Sequence, residues 1–348
     1  MDTNRSRHYR LRHACSPSVR WFRLLIGAVI LLLGTTACDS FSPSADDYLA
    51  DGRKATAAGD TKSAIISFKN AAQKAPDNPE IRYELGLAYL RSGSFVNAEK
   101  ELTRAVEMRP DDPAYNLAAA RTEVRLRNWA DVETYLEGSE NWASDLQASA
   151  LAMRARVQLS AKQTDAARLV VNEALAMSPE NTDALYARAV IELTDDDTAA
   201  ARETLTKVTQ LDAKHAQALG MLGILEYYAK NYDEASSLLL AARAVEYADL
   251  ESTLALARVY LAQEQYDQAG EELAKLLAAM PNAWYPNYLQ SLISLRERDY
   301  RVALQHSETA LNANPEYLPA YFVAAVAAAA LGEYESARTR VNKVLYST

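Results

Sequence analysis

Side chains able to carry out chemistry are sparse in this 348-residue chain. It has four histidines and two cysteines, which is little material for a metal cage or a nucleophilic site. The sequence contains no phosphate-binding glycine loop, no dinucleotide fingerprint and no His-Glu-x-x-His pair. Neither His215 nor His306 has a second histidine or a cysteine nearby in sequence. We therefore expect structural or surface roles for both, no cofactor or metal, and a protein that is not an enzyme.

An acidic triplet at residues 195–197 is the remaining candidate for an ion site. A calcium loop needs a longer spacing of oxygen ligands that ends in a glutamate. Short acidic side chains between two helices commonly cap the second helix. The triplet is therefore predicted to be a solvated, helix-capping turn.

Composition points to a helical, acidic protein. Hydrophobic residues make up 49% of the chain, charged residues 24%, and the formal net charge is −9. Glycine and proline number 11 each, which is low for an all-β protein built from many tight turns. An acidic balance also argues against general binding to nucleic acid.

The N-terminus carries an export signal. A segment with six arginines precedes an apolar run from Leu24 to Gly34, which has signal-peptide length and is too short to span a bilayer comfortably. The small residues before Cys38 resemble a bacterial lipobox, in which the cysteine is acylated and becomes the first mature residue. That resemblance implies a signal peptide at 1–37 and a lipidated Cys38. An ordinary signal peptide, or an uncleaved anchor, is the alternative.

Cleavage would leave a protein of the bacterial cell envelope that faces the periplasm. Residues 38–45 would be its tether and residues 46–348 its folded part. Asp39 resembles the inner-membrane retention signal of enteric lipoproteins, which favours the inner over the outer membrane. The mature chain would hold 31 basic and 45 acidic residues, a charge of −14. Its single cysteine would carry lipid, so no disulfide is expected.

The folded part is repetitive. One small residue recurs at a step of 34 residues, with a single step of 35, and eight of its nine occurrences are alanine: Ala64, Ala98, Val132, Ala167, Ala201, Ala235, Ala269, Ala303 and Ala337. Proline follows twelve residues later in five of the nine units. Apolar residues four apart, such as Leu85 and Tyr89, mark one buried helix face per unit.

These residues are similar to the tetratricopeptide repeat (TPR), a 34-residue helix–turn–helix unit. The resemblance implies an all-α, right-handed superhelical solenoid of about nine repeats. Their predicted bounds lie near 45–78, 79–112, 113–147, 148–181, 182–215, 216–249, 250–283, 284–317 and 318–348. An extra residue and a Gly-Ser-Glu-Asn run place the expected local break at about 137–147.

In the TPR family, ligands bind a concave groove lined by positions 2, 5, 9 and 13 of each first helix. Positions 9 and 13 carry seven arginines and no acid in this chain, and four of them, from consecutive repeats, should converge. The predicted groove residues are Tyr83, Leu87, Arg91, Arg121, Arg125, Arg156, Tyr186, Arg258, Tyr288 and Arg296. Arginine forks suit carboxylates. The alternative is that these arginines pair with acids from neighbouring second helices.

The resemblance implies a scaffold that binds proteins or peptides in its groove for envelope or secretion-system assembly. Residues 47–106 also resemble the start of PEP-CTERM system TPR-repeat lipoproteins, which accompany exopolysaccharide gene clusters. An accessory role in exopolysaccharide export, with an anionic polymer in the groove, is therefore the rival hypothesis. Neither hypothesis involves nucleic acid, and an enzyme is a distant third.

Overall fold

The structure, a computed structural model, describes residues 43–245 and 250–346. Eighteen α-helices and no β-strand occur in these residues, and consecutive helices pack as pairs along the chain. The predicted all-α solenoid is therefore confirmed. Cys38, Asp39 and the predicted signal peptide lie outside the described residues.

The helices form nine pairs. In chain order they are α1 (Ala45–Ala57) and α2 (Thr61–Lys74); α3 (Pro79–Arg91) and α4 (Phe95–Met108); α5 (Pro113–Leu126) and α6 (Val132–Leu136); α7 (Ser144–Ser160) and α8 (Thr164–Met177); α9 (Thr182–Thr194) and α10 (Thr198–Leu211); α11 (Ala216–Tyr228) and α12 (Tyr232–Val245); α13 (Leu250–Ala262) and α14 (Tyr266–Ala279); α15 (Trp284–Arg296) and α16 (Tyr300–Ala313); α17 (Leu318–Ala330) and α18 (Tyr334–Leu345).

Local sequence explains where the first helices begin. The Asn78 side chain accepts hydrogen bonds from the backbone N–H groups of Glu80 and Ile81, and Pro79 occupies the first turn of α3. Asp112 and Pro113 begin α5 in the same way. Proline has no N–H to leave unsatisfied at that position, so the Asx-Pro pairs both stop one repeat and start the next.

The recurring small residue lies where the two helices of a pair cross. All nine occurrences are buried, with Ala337 of the last pair the most exposed at 7%. A small side chain there lets the helix axes approach, and larger apolar residues fill the space between neighbouring pairs. Phe68, Leu102, Leu205 and Leu273 are among the side chains buried completely. Buried apolar clusters therefore follow one another along the solenoid, as expected for stacked repeats.

The third pair is irregular where the sequence places its extra residue. Helix α6 has only five residues and is followed by a 3₁₀ turn at Ser139–Asn141, whereas α7 extends to 17 residues. Arg154 of α7 fastens this segment, because its guanidinium donates to the Glu133 carboxylate, the Ser139 hydroxyl and the Leu136 carbonyl. The core continues through the junction, since Val132 and Leu136 are buried in one cluster with Ala148 and Ala184.

Candidate functional site

Three adjoining cavities lie along the first helices of repeats two to seven. We call them together the inner channel. The arginine cavity, about 270 Å³, is lined by Arg91, Arg121, Arg125 and Arg156 together. The aromatic cavity, about 400 Å³, is lined by Phe95, Trp129 and Tyr186 and shares Arg125 and Arg156 with the arginine cavity. The acidic cavity, about 490 Å³, is lined by Tyr83, Asp145, Glu180, Asp183 and Asp212 and shares Arg121 with the arginine cavity.

Convergence of the four arginines follows from the repeat geometry. Arg91, Arg121 and Arg156 project from the successive first helices α3, α5 and α7, and Arg125 lies one turn after Arg121 on α5. Equivalent positions of stacked repeats fall side by side on one face of a solenoid. The structure therefore brings these residues together as the sequence predicts.

Arg121 forms an ion pair with a carboxylate of another repeat. Its Nη2 lies 2.5 Å from Oδ2 of Asp183 on α9. Burial alone would raise the pKa of the Asp183 carboxyl, but attraction to Arg121, with hydrogen bonds from Ser149 and Arg121, holds it below the ordinary value. The pair is therefore ionised, and it lies between the arginine cavity and the acidic cavity.

Arg156 has no carboxylate partner among the described residues. Its guanidinium lies over the Tyr186 ring at 5.5 Å from the centroid, and Nη1 is 3.4 Å from Oε1 of Gln217. Burial lowers the pKa of Arg156, and repulsion from Arg125 acts in the same direction. Attraction to Tyr186 and Asp183 opposes this shift only in part. Burial of a cation is costly, so an anion beside Arg156 would be stabilised.

Arg91 and Arg125 extend the same basic surface. Nη1 of Arg91 is buried without a hydrogen-bond partner in the part of the chain that the structure describes. Arg125 lies over the Phe95 ring at 4.9 Å from its centroid. The arginine cavity thus combines several guanidinium groups with aromatic rings, which suits a carboxylate carried on an extended chain.

The other predicted groove residues lie apart from the arginine cavity. Tyr83 lines the acidic cavity and stacks on Tyr115 at 4.6 Å, while Leu87 is half-buried against the core cluster of α4 and α5. Tyr186 is buried, at 7% exposure, in the wall of the aromatic cavity.

The predicted residues of later repeats each contact the ring of a tyrosine. Arg258 lies over Tyr227 at 4.5 Å, and Arg296 lies over Tyr266 at 4.9 Å. Tyr288 packs against Tyr317, and burial raises its pKa to about 12. None of the cavities that form the inner channel is lined by Arg258, Tyr288 or Arg296.

Some of the arginines do pair with acidic residues, as the alternative hypothesis predicts. The acidic residues come from a different part of the repeat. Arg53 pairs with Glu80 and Glu84, and Arg121 pairs with Asp183. These acids belong to first helices, α3 and α9, and not to neighbouring second helices.

Position 2 of each repeat carries the signal that the sequence reasoning missed. When the recurring small residue, such as Ala98, is position 20 of its repeat, five of the repeats have these residues at position 2: Glu80, Ser149, Asp183, Gln217 and Glu251. Asp183, Gln217 and Ser149 all line the inner channel. Reading this position together with positions 5, 9 and 13 would have identified the acidic residues that face the arginines.

The two histidines and the acidic triplet have structural contacts. Nδ1 of His215 accepts the Ala218 N–H at 3.2 Å and caps α11, and Nδ1 of His306 lies 2.8 Å from Oδ1 of Asn287. Asp197 caps α10, and Asp195 pairs with Arg168 at 2.9 Å. Among the described residues, no group of three or more His, Cys, Asp or Glu side chains is arranged to hold a metal ion. Every helix in that part of the chain is too short or too polar to cross a membrane.

Paired helices in a 34-residue register, stacked around an inner surface, define the class of helical-repeat solenoids. Two family models, each described as tetratricopeptide repeat, match this chain: one covers residues 55–122 and 294–348, and the other covers 152–216 and 221–283. The chain belongs to the tetratricopeptide repeat family, and it is a scaffold for protein interaction.

Three individual proteins are similar to parts of this chain. The chain is 28% identical over 85 residues to "Cellulose synthase operon protein C" of Pseudomonas fluorescens (strain SBW25), a match that spans 24% of this chain and 7% of that relative's length. A solved structure titled "Functional Characterization of Pseudomonas Aeruginosa pilF" superposes with a TM-score of 0.53 at 23% identity, over 59% of this chain and 95% of the other. PilW, a type IV pilus biogenesis factor, superposes with a TM-score of 0.49 at 18% identity, over 59% of this chain and 93% of the other.

Proposed function

We propose that this protein is a lipid-anchored scaffold of the bacterial cell envelope that faces the periplasm. Its inner channel holds an extended, carboxylate-bearing segment of a partner protein during envelope or secretion-system assembly. The observation that carries the proposal is the convergence of Arg91, Arg121, Arg125 and Arg156 on one cavity. Arg156 has no carboxylate partner there among the described residues, so a ligand carboxylate would supply the missing counter-charge.

Affinity capture with a matched pair of variants tests this proposal. The first variant carries Arg91→Gln, Arg125→Gln and Arg156→Gln and leaves the Arg121–Asp183 pair intact, because an unpaired buried Asp183 would destabilise the fold. The control carries Arg104→Gln, Arg298→Gln and Arg301→Gln, which remove the same charge outside the inner channel. We expect partner proteins from envelope extracts to be lost by the first variant and retained by the control. Equal capture by both variants would show that the arginine cavity is not the binding site.

The lipid anchor is tested separately. Growth with labelled palmitate should label the wild-type chain, and Cys38→Ala should remove the label. The same substitution should move the protein from the membrane fraction to the soluble periplasmic fraction. A labelled Cys38→Ala chain, or an unlabelled wild-type chain, would contradict the proposed anchor.

The rival function is an accessory role in exopolysaccharide export. The similarity of 85 residues to a cellulose synthase operon protein, together with the arginines of the channel, favours it. A polyuronate oligosaccharide is a suitable probe, because it carries carboxylates and no cation. Saturable binding of this probe by the wild type, and not by the Arg91, Arg125 and Arg156 variant, would support the polymer function over the peptide function.

A further inference from the structure

The acidic cavity is lined by carboxylates that form no ion pair within the described residues. Asp145, Glu180 and Asp212 line it, and none of the three has an ion pair within the described ranges. Asp145 accepts hydrogen bonds from Ser178 and Asn181, and Asp212 accepts the Lys214 backbone N–H. These donors are neutral, so they do not offset the charge of the two aspartates, and a cation nearby would be favoured.

Positive and negative surfaces therefore adjoin each other along the inner channel. The Arg121–Asp183 pair lines both the arginine cavity and the acidic cavity. On one side of it lie Arg91, Arg125 and Arg156, and on the other side lie Asp145 and Glu180. Asp212 also lines both cavities. A ligand that passes from the arginine cavity to the acidic cavity therefore meets mostly guanidinium groups first and mostly carboxylates afterwards.

A uniformly anionic chain fits only one half of this arrangement. Its charges would be attracted to the arginine cavity and repelled by the acidic cavity, where like charges weaken binding. A chain that carries an acidic group and then a basic group matches both halves. Tyr83 adds to the match, because its ring lines the acidic cavity and a Lys or Arg side chain can stack on such a ring.

We infer that the segment held in the inner channel is a peptide of mixed charge, with an anionic side chain in the arginine cavity and a cationic side chain in the acidic cavity. This inference rests on the proposed function and specifies its ligand. It assigns Asp145 and Glu180 the task of selecting a cation, a role distinct from that of the arginines. It also fixes the orientation of any given peptide, since its acidic and basic side chains must enter different cavities.

Selection from a random 12-residue peptide library displayed on phage tests the inference with the full chain as target. Three variants are selected in parallel: the Arg91, Arg125 and Arg156 triple variant described above, Asp145→Asn with Glu180→Gln, and the control Glu173→Gln with Glu203→Gln. Asn at position 145 retains an oxygen that can accept the Ser178 hydroxyl. Glu173 and Glu203 are exposed carboxylates of second helices that line none of the three cavities.

We expect peptides enriched on the wild type and on the control to carry an acidic and a basic residue at one spacing. The Asp145 and Glu180 variant should enrich peptides that keep the acidic residue and lack the basic one. In fluorescence anisotropy with a synthetic peptide, replacing its basic residue by glutamine should weaken binding to the wild type about fivefold, as for a partly exposed ion pair. The same replacement should leave binding to the Asp145 and Glu180 variant unchanged.

Two failures are distinguishable. Enrichment of acidic peptides without a basic residue on the wild type would overturn the mixed-charge inference and leave the proposed peptide scaffold standing. An absence of enrichment on the wild type relative to the triple arginine variant would overturn the proposed function and the inference together.

Discussion

At the scale of single residues, glycines on the first helices are explained by the side chain opposite. Gly52 faces Phe68, which is fully buried. A Cβ added at Gly52 would lie 2.5 Å from Cδ1 and 2.8 Å from Cζ of that ring. The equivalent positions in the fifth repeat hold Ala189 and Leu205, both with no exposed surface. The small side chain in one helix and the large one in the next are therefore matched within each repeat.

This matching predicts that a second substitution restores stability lost by the first. Gly52→Ala should lower the free energy of unfolding by about 1–3 kcal/mol, the range for an overpacked core. Adding Phe68→Leu recreates the pair found in the fifth repeat, so the double variant should be more stable than the two separate effects predict. Urea unfolding of the four chains gives the coupling free energy. Additive effects would show that Gly52 is not required by the Phe68 ring.

His215 predicts a pH dependence of stability. Burial lowers its pKa below 6.5, although attraction to Asp183 and Asp212 opposes the shift. A base whose pKa falls on folding binds fewer protons in the native state than in the unfolded state, so acidification favours unfolding. Stability should be retained above pH 6.5 and should decline below it. His306, whose pKa is also lowered by burial, contributes with the same sign.

His215→Asn separates this effect from other titrations. Asparagine still caps a helix but does not titrate, so the loss of stability between pH 7.5 and pH 5.5 should be smaller than in the wild type. Urea midpoints measured at several pH values across this interval give the comparison. Identical slopes for the two chains would mean that His215 keeps its ordinary pKa in the folded protein.

At the scale of helices and turns, one backbone conformation recurs between the two helices of every repeat. Glycine takes it in three turns, at Gly59, Gly93 and Gly332. The other six turns place a residue with a side chain in the same left-handed region, with φ from 59° to 65°: Arg127, Lys162, Asp196, Lys230, Glu264 and Arg298. Left-handed backbone costs such residues about 1–2 kcal/mol relative to glycine. These six turns are therefore sites where the sequence is not optimal for stability.

Two substitutions in adjacent repeats test this turn geometry. Arg298→Gly should raise the free energy of unfolding by about 0.5–1 kcal/mol, because relief of the left-handed strain exceeds the backbone entropy of glycine. Gly332→Ala should lower it by about 1 kcal/mol, and the new Cβ meets no atom within 4 Å, so the backbone alone accounts for the change. Thermal unfolding of both variants measures the two changes in stability. Shifts of the same sign in both would contradict the explanation.

The sequence predicts the helices whose positions depend on interactions within one repeat. The alanine register and the Asx-Pro pairs predict the helix pairs because capping and close crossing involve residues adjacent in the chain or in one repeat. The same register predicts the convergence of Arg91, Arg121, Arg125 and Arg156. It does not predict that Asp183 would pair with Arg121, because the two belong to repeats that are not consecutive. Nor does it predict that α6 shortens to five residues while α7 lengthens, since that exchange depends on packing across the junction.

At the scale of the whole molecule, the solenoid brings distant repeats together. A fourth cavity, about 390 Å³, is lined on one side by Ala57, Gly59 and Thr61 of the first repeat and on the other by Lys214, Ala241 and Ala244 near the sixth. Arg91 lines both this cavity and the arginine cavity. The contact arises from small rotations that accumulate over several repeats, which no single unit of the sequence encodes. It encloses one side of the inner channel and so contributes to the burial of the arginines.

Crosslinking measures this contact directly. Lys62 begins α2 beside Thr61, and Lys214 lies across the same cavity although it is 152 residues further along the chain. An amine-reactive crosslinker applied to dilute protein should join Lys62 to Lys214 within one molecule, as detected by mass spectrometry of the digest. Lys214→Arg keeps the charge and should abolish this product while leaving the product between Lys54 and Lys62. If the neighbouring pair Lys54 and Lys62 crosslinks while Lys62 and Lys214 do not, the superhelix is open in solution, and Arg156 is more hydrated than its lowered pKa implies.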